Sequence, residues 1–422
     1  MNSRRHNYTP SRVAAGLTTA LLLALASISA ADAPAASKLA VESDPVRSAE
    51  AFEARLYLLR RDPALDFWLK QPKGALAPPL RSIQRVCANE PFTAVLVLKH
   101  VGDTGNGTGQ VSMDISVRSA DGKIRRIGTG DAFKGKLPPA DASLPIQKHF
   151  TLALDDKEAL GAVKIVTQLR DQGSGMTLQA EAGVELVKWS YGEKPATKED
   201  YDKWVKSYYQ DQTPAESVRA YLEFADLKQD SSRDASLQFY YNILNDNLWL
   251  VPRLTERFAA GTREQQVKIA ALLQATGHQD VAKSLAFKEG EDLPEIKKWL
   301  EGLTLPDPYD PWTRPSQIDQ LWADFFATGR YMPARQLVRA LELAPFEEAC
   351  SKENPPKTSE ERADALKGVI FQAARGSLES NLRQHELLKN YALFMLEAET
   401  LGEAEKTALK SLLEAQAPAK KD

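Results

Sequence analysis

The chain has 422 residues, a formal net charge of −3 and a pI near 6.1. This length is typical of two or three domains, and 43% hydrophobic residues are enough to build their cores. The charge excludes a global basic field that would attract nucleic acid or acidic lipid, and the composition excludes a disordered chain.

The N-terminus has the order of a secretory signal peptide. Three arginines lie within the first twelve residues, the apolar run VAAGLTTALLLALASIS covers residues 13–29, and small residues follow. We predict a signal peptide over residues 1–31, cleaved near Ala30 or Ala31, and hence a periplasmic or secreted protein without an integral membrane segment after cleavage. An uncleaved anchor is the alternative, because the run approaches the length of a spanning helix. An adjacent arginine pair leaves twin-arginine export open beside general secretion.

The segment after the signal divides into a lead-in and a candidate helix. Residues 32–50 are rich in Ala, Ser and Pro, which predicts a flexible lead-in. Residues 51–69 carry apolar side chains at roughly helical spacing, interrupted at Asp62-Pro63. We therefore predict one short helix at the start of the first domain.

From residue 81 the apolar side chains recur at every second position, as in a half-buried strand. In QVSMDISV the apolar residues from Val111 to Val117 share one face. Tight turns are predicted at residues 120–123, where Asp-Gly readily takes positive φ angles, and at residues 172–175. The strand-like runs are residues 91–101, 110–119, 123–128, 148–155, 162–170, 176–182 and 183–189.

Seven short strands joined by turns predict an antiparallel β-sandwich, with the first domain at residues 51–192. The order of paired strands, an Asp-Gly turn, a long loop and a closing hairpin over residues 81–190 resembles immunoglobulin-like modules of bacterial exported proteins. The resemblance implies an immunoglobulin-like fold for this domain.

After residue 195 the strand spacing ends and helix-start signals recur. Each signal is a hydroxyl residue that can accept a free first-turn N–H group, three residues before an acidic residue or Gln. The pairs are Thr197 with Asp200, Thr213 with Glu216, Thr262 with Gln265, Ser316 with Asp319 and Thr358 with Glu361. They predict an all-α domain of helical hairpins, solenoid-like in architecture, at residues 197–417.

An internal echo lies within this helical domain. KIAALLQATGHQDVAKSL (268–285) aligns with QLWADFFATGRYMPARQL (320–337), and both contain Ala-Thr-Gly followed by Ala and Leu at equal spacing. Gly277 and Gly329 are expected to end the first helix of each pair in the left-handed conformation. The alternative is two unrelated helical hairpins that use the same turn chemistry.

The later copy resembles a tetratricopeptide repeat. Gly329, Tyr331 and Ala334 match that family's turn Gly, Tyr and small-residue positions, although the two copies are 52 residues apart rather than 34. For residues 262–345 the resemblance implies stacked hairpins with a concave face that binds peptides or proteins. The β-sandwich together with WADFFATG is also similar to a recurring exported bacterial family of unassigned function.

Two cysteines, Cys87 and Cys350, form a candidate disulfide, because an exported protein reaches an oxidising compartment. A bridge that closes so long a loop would stabilise the fold by on the order of 5 kcal/mol in the chain-entropy model. The alternative is two unconnected thiols.

The motifs of common catalytic and metal sites do not match. His385-Glu386 lacks the second His of a zincin motif, and the histidines of the mature chain are far apart in sequence. The Gly-rich stretch at residues 103–109 precedes a strand and lacks the Gly-Lys-Ser/Thr of a phosphate loop, so we predict a flexible turn. No Gly-x-Ser-x-Gly elbow occurs. We predict no catalytic, cofactor-binding or metal-binding residues, and no cofactor.

Aromatic residues supply the candidate binding surface. Tyr309 and Trp312 lie in the Pro-rich stretch DPYDPW, and Tyr331 follows the turn of the later repeat. They are candidates for lining a groove, whereas burial in the helical core is the alternative.

We expect an exported, non-catalytic binding or scaffold protein of the bacterial envelope that contacts a protein or an envelope component through its helical domain, with no nucleic acid partner. A secreted hydrolase with its site at the domain junction and a structural envelope subunit are the alternatives. Convergent carboxylates or a Ser–His pair at the junction would favour the enzyme, and an apolar-centred groove on the helical domain would favour the binding protein.

Overall fold

The computed structural model describes residues 52–60, 82–138, 146–192, 194–227, 230–290, 292–350, 356–398 and 401–415. The predicted signal peptide and lead-in lie outside the described residues.

The first half of the described chain is built from eight strands. They are β1 (Glu53–Leu59), β2 (Arg85–Cys87), β3 (Pro91–Lys99), β4 (Thr108–Arg118), β5 (Ile124–Lys136), β6 (Ile146–Ala153), β7 (Gly161–Asp171) and β8 (Thr177–Val187). One sheet has the order β1-β3-β6 and the other has the order β2-β8-β7-β4-β5. Side chains of both sheets, such as Leu96 of β3 and Ile165 of β7, share one hydrophobic core.

The predicted helix within residues 51–69 is wrong for the described part of that segment, which forms strand β1. The apolar residues Phe52, Leu56 and Leu58 also fit a period of two, and all three are buried in the core between the sheets. Strand β1 pairs with β3 along its whole length, from Glu53 to Leu59. This pairing favours a strand over the helix that the same apolar pattern also allows.

The prediction of an exclusively antiparallel domain is also wrong in one place. Arg85–Cys87 pairs with β8 in the parallel direction, so the five-stranded sheet is mixed. A hairpin forces neighbouring strands to be antiparallel, but β2 is reached by a long connection from β1 and can lie in either direction. The predicted break between residues 182 and 183 is absent, because β8 continues through Gly183.

The two predicted turns are confirmed. Between β4 and β5 the N–H of Gly122 donates to the Ser119 carbonyl at 2.9 Å, and Gly122 has a φ of 82°. Residues 172–175 connect β7 to β8, where the Gly173 N–H donates to the carboxylate of buried Asp171 at 3.2 Å. Asp171 also accepts a 2.8 Å hydrogen bond from the Gly102 N–H, so this turn is fixed to the loop that follows β3.

Gly173→Ala is expected to destabilise the protein by about 1–3 kcal/mol, the usual cost of overpacking. A Cβ at Gly173 would lie 2.3 Å from the backbone carbon and oxygen of Gly102, and backbone cannot move aside as a side chain can. Urea unfolding followed by circular dichroism measures the change. Gly183→Ala is the control, because its Cβ would meet only the Val163 carbonyl at 3.9 Å. Equal stability of the two variants would contradict the prediction.

The second half of the described chain is helical, as predicted. Its α-helices are α1 (Lys198–Ser207), α2 (Pro214–Phe224), α3 (Asp230–Asp246), α4 (Leu250–Ala260), α5 (Arg263–Ala275), α6 (Gln279–Ser284), α7 (Leu293–Glu301), α8 (Ser316–Thr328), α9 (Tyr331–Arg339), α10 (Ser359–Gln384), α11 (Glu386–Ala398) and α12 (Glu403–Glu414). The first 3-10 helix, Tyr208–Gln210, connects α1 to α2. The second 3-10 helix, Ala340–Cys350, follows α9. Among the described residues, none of these helices combines the length and the apolar character that a membrane span requires.

Three of the five predicted helix starts are capped as expected. The Thr197 hydroxyl accepts from the Asp200 N–H, and Thr262 and Thr358 form complete capping boxes. Thr213 makes no capping bond to the backbone; its hydroxyl instead accepts from Nε1 of Trp204 at 3.0 Å and donates to the Glu216 side chain at 3.1 Å. Ser316 is the first residue of α8 rather than its cap, so that start is displaced by one residue.

Two hydrophobic cores formed by described residues of the helical half meet at α8. The N-terminal helical core is centred on residues such as Tyr221 and Leu273, and it includes Ala323 and Ala327 of α8. The C-terminal helical core includes Leu321 and Phe325 of the same helix. Helix α8 therefore presents different faces to two cores and forms the centre of the helical half.

Candidate functional site

The three predicted surface aromatics are half-buried, and all three pack against the C-terminal helical core. Tyr331 makes edge contacts with Tyr391 and Phe394 of α11, with ring centroids 5.3 and 5.8 Å apart. Tyr309 and Trp312 lie in the loop between α7 and α8, which we call the Pro-rich loop (residues 303–315). Each of the three side chains therefore packs against this core and stays partly exposed to solvent.

The hydroxyl of Tyr309 is bound to a buried carboxylate. It donates a 2.6 Å hydrogen bond to Oδ2 of Asp324, whose exposed fraction is only 4%. The Thr328 hydroxyl donates to the other carboxylate oxygen at 3.2 Å. Burial raises the pKa of Asp324, although the Tyr309 bond and the charge of Arg330 lower it. Asp324 therefore anchors the loop to the centre of α8.

Two glutamines continue this anchor along the same helix. Gln317 accepts from the Thr313 N–H at 2.8 Å and donates to the Asp310 carbonyl at 3.1 Å. Gln320 donates to the Pro306 carbonyl at 3.1 Å. Both glutamines are buried, and backbone groups of the Pro-rich loop satisfy their amide groups. The loop is thus held against α8 along most of its length.

Sequence reasoning overlooked this polar face. Gln317, Gln320, Asp324 and Thr328 recur every three or four residues, which places them on one side of α8. A buried helix with such a polar stripe must have polar partners, and a neighbouring Pro-rich loop supplies carbonyl and N–H groups. That signal could have been recognised in the sequence.

Tyr309→Phe is expected to lower stability by about 1–2 kcal/mol, because it leaves a buried carboxylate one donor short. Thermal unfolding measures the loss. The double variant Tyr309→Phe with Asp324→Asn completes a double-mutant cycle, in which the expected coupling is about 0.5–3 kcal/mol. Additive effects of the two substitutions would contradict a direct interaction between the side chains.

A separate feature, which we call the α10–α12 cleft, opens between α10, α12 and the second 3-10 helix. It is an open surface depression with a volume of ≈ 450 Å³. Apolar side chains of Ala344, Phe371, Ala404 and Ala408 line it together with the polar side chains of Arg375, Glu403, Thr407 and Ser411. The cleft can thus accept an apolar group and offer hydroxyl, cationic and anionic hydrogen-bonding partners at its edges.

The local sequence explains how this cleft arises. Ala404 and Ala408 lie one turn apart on α12, where small side chains leave space beside Phe371 of α10. Arg375 is held at the edge by an ion pair with Glu347 of the 3-10 helix at 3.2 Å. The cleft lies mostly outside the repeat-like region 262–345, so the sequence resemblance gave no indication of it.

The two cysteines are free thiols in the structure. Cys87 is buried in β2, and its N–H donates to Glu90 at 2.8 Å. Burial, followed by the negative charge of Glu90, raises the pKa of Cys87 to about 12, so the thiolate is disfavoured. Cys350 is half-buried at the end of the second 3-10 helix, with its Sγ 3.1 Å from the Glu347 carbonyl oxygen.

The junction between the β half and the helical half is packed by aromatic and arginine side chains. The Tyr191 hydroxyl donates to Glu223 at 3.1 Å, and the Arg257 guanidinium lies 4.0 Å from the centre of the Tyr191 ring. Arg219 donates to the Gly192 carbonyl at 3.1 Å. Arg253 lies 5.5 Å from the Trp189 ring centre. These contacts hold the linker after β8 against α2 and α4.

Of the histidines, His385 has the most distinctive environment. It separates α10 from α11 and is 4% exposed. Its Nδ1 lies 2.9 Å from the Tyr209 hydroxyl, and the Phe325 and Phe326 rings of α8 pack against it. Its Nε2 is buried without a hydrogen-bond partner. Within the described parts of the chain, no three His, Cys, Asp or Glu residues are grouped to hold a metal ion.

Comparisons with known proteins place the chain in no family. No protein-family model matches it, and no curated protein matches it. One solved structure that it resembles is described as "pT26-6p", with 10% sequence identity and a TM-score of 0.15. The matched region covers 74% of this chain and 48% of that chain, so the likeness spans about half of the solved protein.

Proposed function

We propose that the chain is an exported, non-catalytic binding or scaffold protein of the bacterial envelope, which contacts a protein or an envelope component through its helical half. The observation that carries the proposal is the α10–α12 cleft, with apolar lining side chains and polar side chains at its edge. Binding pockets combine these two features, because burial of apolar groups supplies affinity and polar groups fix orientation. The N-terminal pattern of residues 1–31 supports export.

The finer fold descriptions belong to the same proposal. Two sheets around one core, with hairpins at residues 119–123 and 172–175, support an immunoglobulin-like first domain. The pairs α5–α6 and α8–α9 are each joined at a glycine with positive φ, Gly277 and Gly329, which supports tetratricopeptide-like hairpins.

The test blocks the cleft. Ala408→Trp places a bulky ring among the lining residues, and Lys410→Trp adds the same ring to an exposed position of α12 that does not line the cleft. Both variants and the wild-type mature chain are immobilised and incubated with one envelope extract, after thermal unfolding has verified that each is folded. We expect a component that the wild type and Lys410→Trp retain and Ala408→Trp loses.

Two results would overturn the proposal. If all three proteins retained the same components, the cleft would not be the binding site. Hydrolysis of cell-wall or carbohydrate substrates by the purified chain would favour the secreted hydrolase instead.

A further inference from the structure

Strand β5 is an unusually exposed edge of the five-stranded sheet. It has 13 residues and pairs with β4 alone among the described strands. Ile124 is 65% exposed, Ile127 is exposed as well, and Ala132 is the one fully buried residue of the strand. Proteins usually keep edge strands short or covered, because unpaired N–H and C=O groups accept another strand.

The face of β5 that continues the core side of the sheet is also open. The register places Gly128 opposite Ile115 and Gly130 opposite Met113, so both glycines lie on the side of β4 that faces the core. A Cβ at either glycine would meet no atom within 4 Å. No described residue of the three-stranded sheet would therefore contact a side chain at these two positions.

Two register irregularities shape the edge. The pairing with β4 skips Ile127 and Ala132, so each is a bulge. Bulges bend a strand and interrupt its ladder. An added strand would therefore pair over a short segment and not over the full length of β5.

The edge is basic although the whole chain has a formal charge of −3. Strand β5 carries Arg125, Arg126, Lys134 and Lys136, against a single acidic residue, Asp131. Arg125 and Arg126 are exposed and form ion pairs with Glu158 and Asp114. Lys134 and Lys136 are exposed and have no charged partner among the described residues.

We propose that β5 binds a short acidic segment of another protein, which adds to the sheet edge as an extended strand. Backbone groups of the edge would supply affinity, and the unpaired lysines would select acidic side chains. A second copy of the chain fits less well. Antiparallel pairing of two β5 strands about Gly130 would set Arg126 opposite Lys134, and like charges directly opposite each other are destabilising.

The experiment uses the full chain and two labelled peptides of about ten residues, one alternating Glu and Val and one alternating Lys and Val. Fluorescence anisotropy measures binding, and hydrogen exchange locates it. We expect the Glu peptide alone to bind, more weakly at high salt, and to slow exchange of the amides at residues 128–136, which include both lysines.

Charge reversal supplies the matched control. Lys134→Glu with Lys136→Glu is expected to weaken binding of the Glu peptide about tenfold, since two attractive contacts become repulsive. Lys297→Glu with Lys298→Glu makes the same charge change on exposed positions of α7 and should leave affinity unchanged. The proposal is overturned if both pairs lower affinity equally, if protection maps outside β5, or if the chain is a dimer whose β5 amides are protected without peptide.

Discussion

Lowering the pH from 7 to 4 is expected to destabilise the helical half through His385, by on the order of 3 kcal/mol relative to a variant without this histidine. Burial is the main cause that lowers the pKa of His385 to about 4, with a smaller effect from the positive charge of Lys206. The unfolded chain has the ordinary value of 6.5. At a pH between these two pKa values, His385 is mostly protonated in the unfolded state and mostly neutral in the folded state.

His385 therefore makes the folded state less stable as the pH falls. Because the folded pKa is the lower one, the stabilising contribution is complete above pH 6.5 and is lost as the pH falls toward 4. The groups that face the ring do not offset the charge: Tyr209 contributes a hydroxyl, Phe325 and Phe326 contribute apolar rings, and Lys206 repels. Asp319 acts in the opposite direction, because burial raises its pKa to about 6 and stabilises its protonated form in the fold.

A difference measurement separates these effects. Urea unfolding at several pH values between 4 and 7.5 is compared for the wild type and His385→Asn, whose amide retains a group near the position of Nδ1 for the Tyr209 hydroxyl. We expect the variant to lose less stability than the wild type as the pH falls, while the contribution of Asp319 cancels in the comparison. Parallel stability curves would show that His385 does not titrate differently in the folded and unfolded states.

Phe325→Ala is expected to lower the free energy of unfolding by about 3–5 kcal/mol, the usual cost of removing a buried ring from a core. Phe325 is 0% exposed at the centre of α8. Its ring lies 5.0 Å from that of Tyr209 and 5.9 Å from that of Trp322, measured between centroids. The truncation would leave a cavity where the helix meets the first 3-10 helix and His385.

Urea unfolding followed by tryptophan fluorescence measures this loss. Met332→Ala on α9 is the control, because Met332 is 59% exposed and its truncation opens no cavity. We expect the control to change stability by less than about 0.5 kcal/mol. Comparable losses in the two variants would show that Phe325 does not occupy a tightly packed position.

The coarse order of the fold could be predicted because periodicity changes sharply along the chain. The alternation in β4 and the capping boxes at Thr262 and Thr358 depend on neighbours in sequence, and the structure has them as expected. The prediction for the segment of β1 was wrong, because over so short a length its apolar residues fit both the helical and the strand period. Only pairing with β3, some forty residues away, decides between them.

The candidate sites depended on contacts that local patterns do not contain. The α10–α12 cleft joins Ala344, Phe371 and Ala408, which are far apart in sequence. The binding of Tyr309 to Asp324 was closer to prediction, because the polar stripe of α8 is visible in its spacing. The loop residues that bind this stripe could not be predicted, since a Pro-rich loop has no periodicity that indicates which face of a helix it covers.

The position of α8 in both helical cores has a consequence for cooperativity. Ala323 and Ala327 belong to one core, while Leu321 and Phe325 belong to the other, so melting of either core removes support from the same helix. A chain truncated before Ser316 would leave apolar side chains of α3 facing water, because α3 packs along α8. The helical half should therefore lose its structure in a single calorimetric transition, unlike a modular array whose repeats fray from one end.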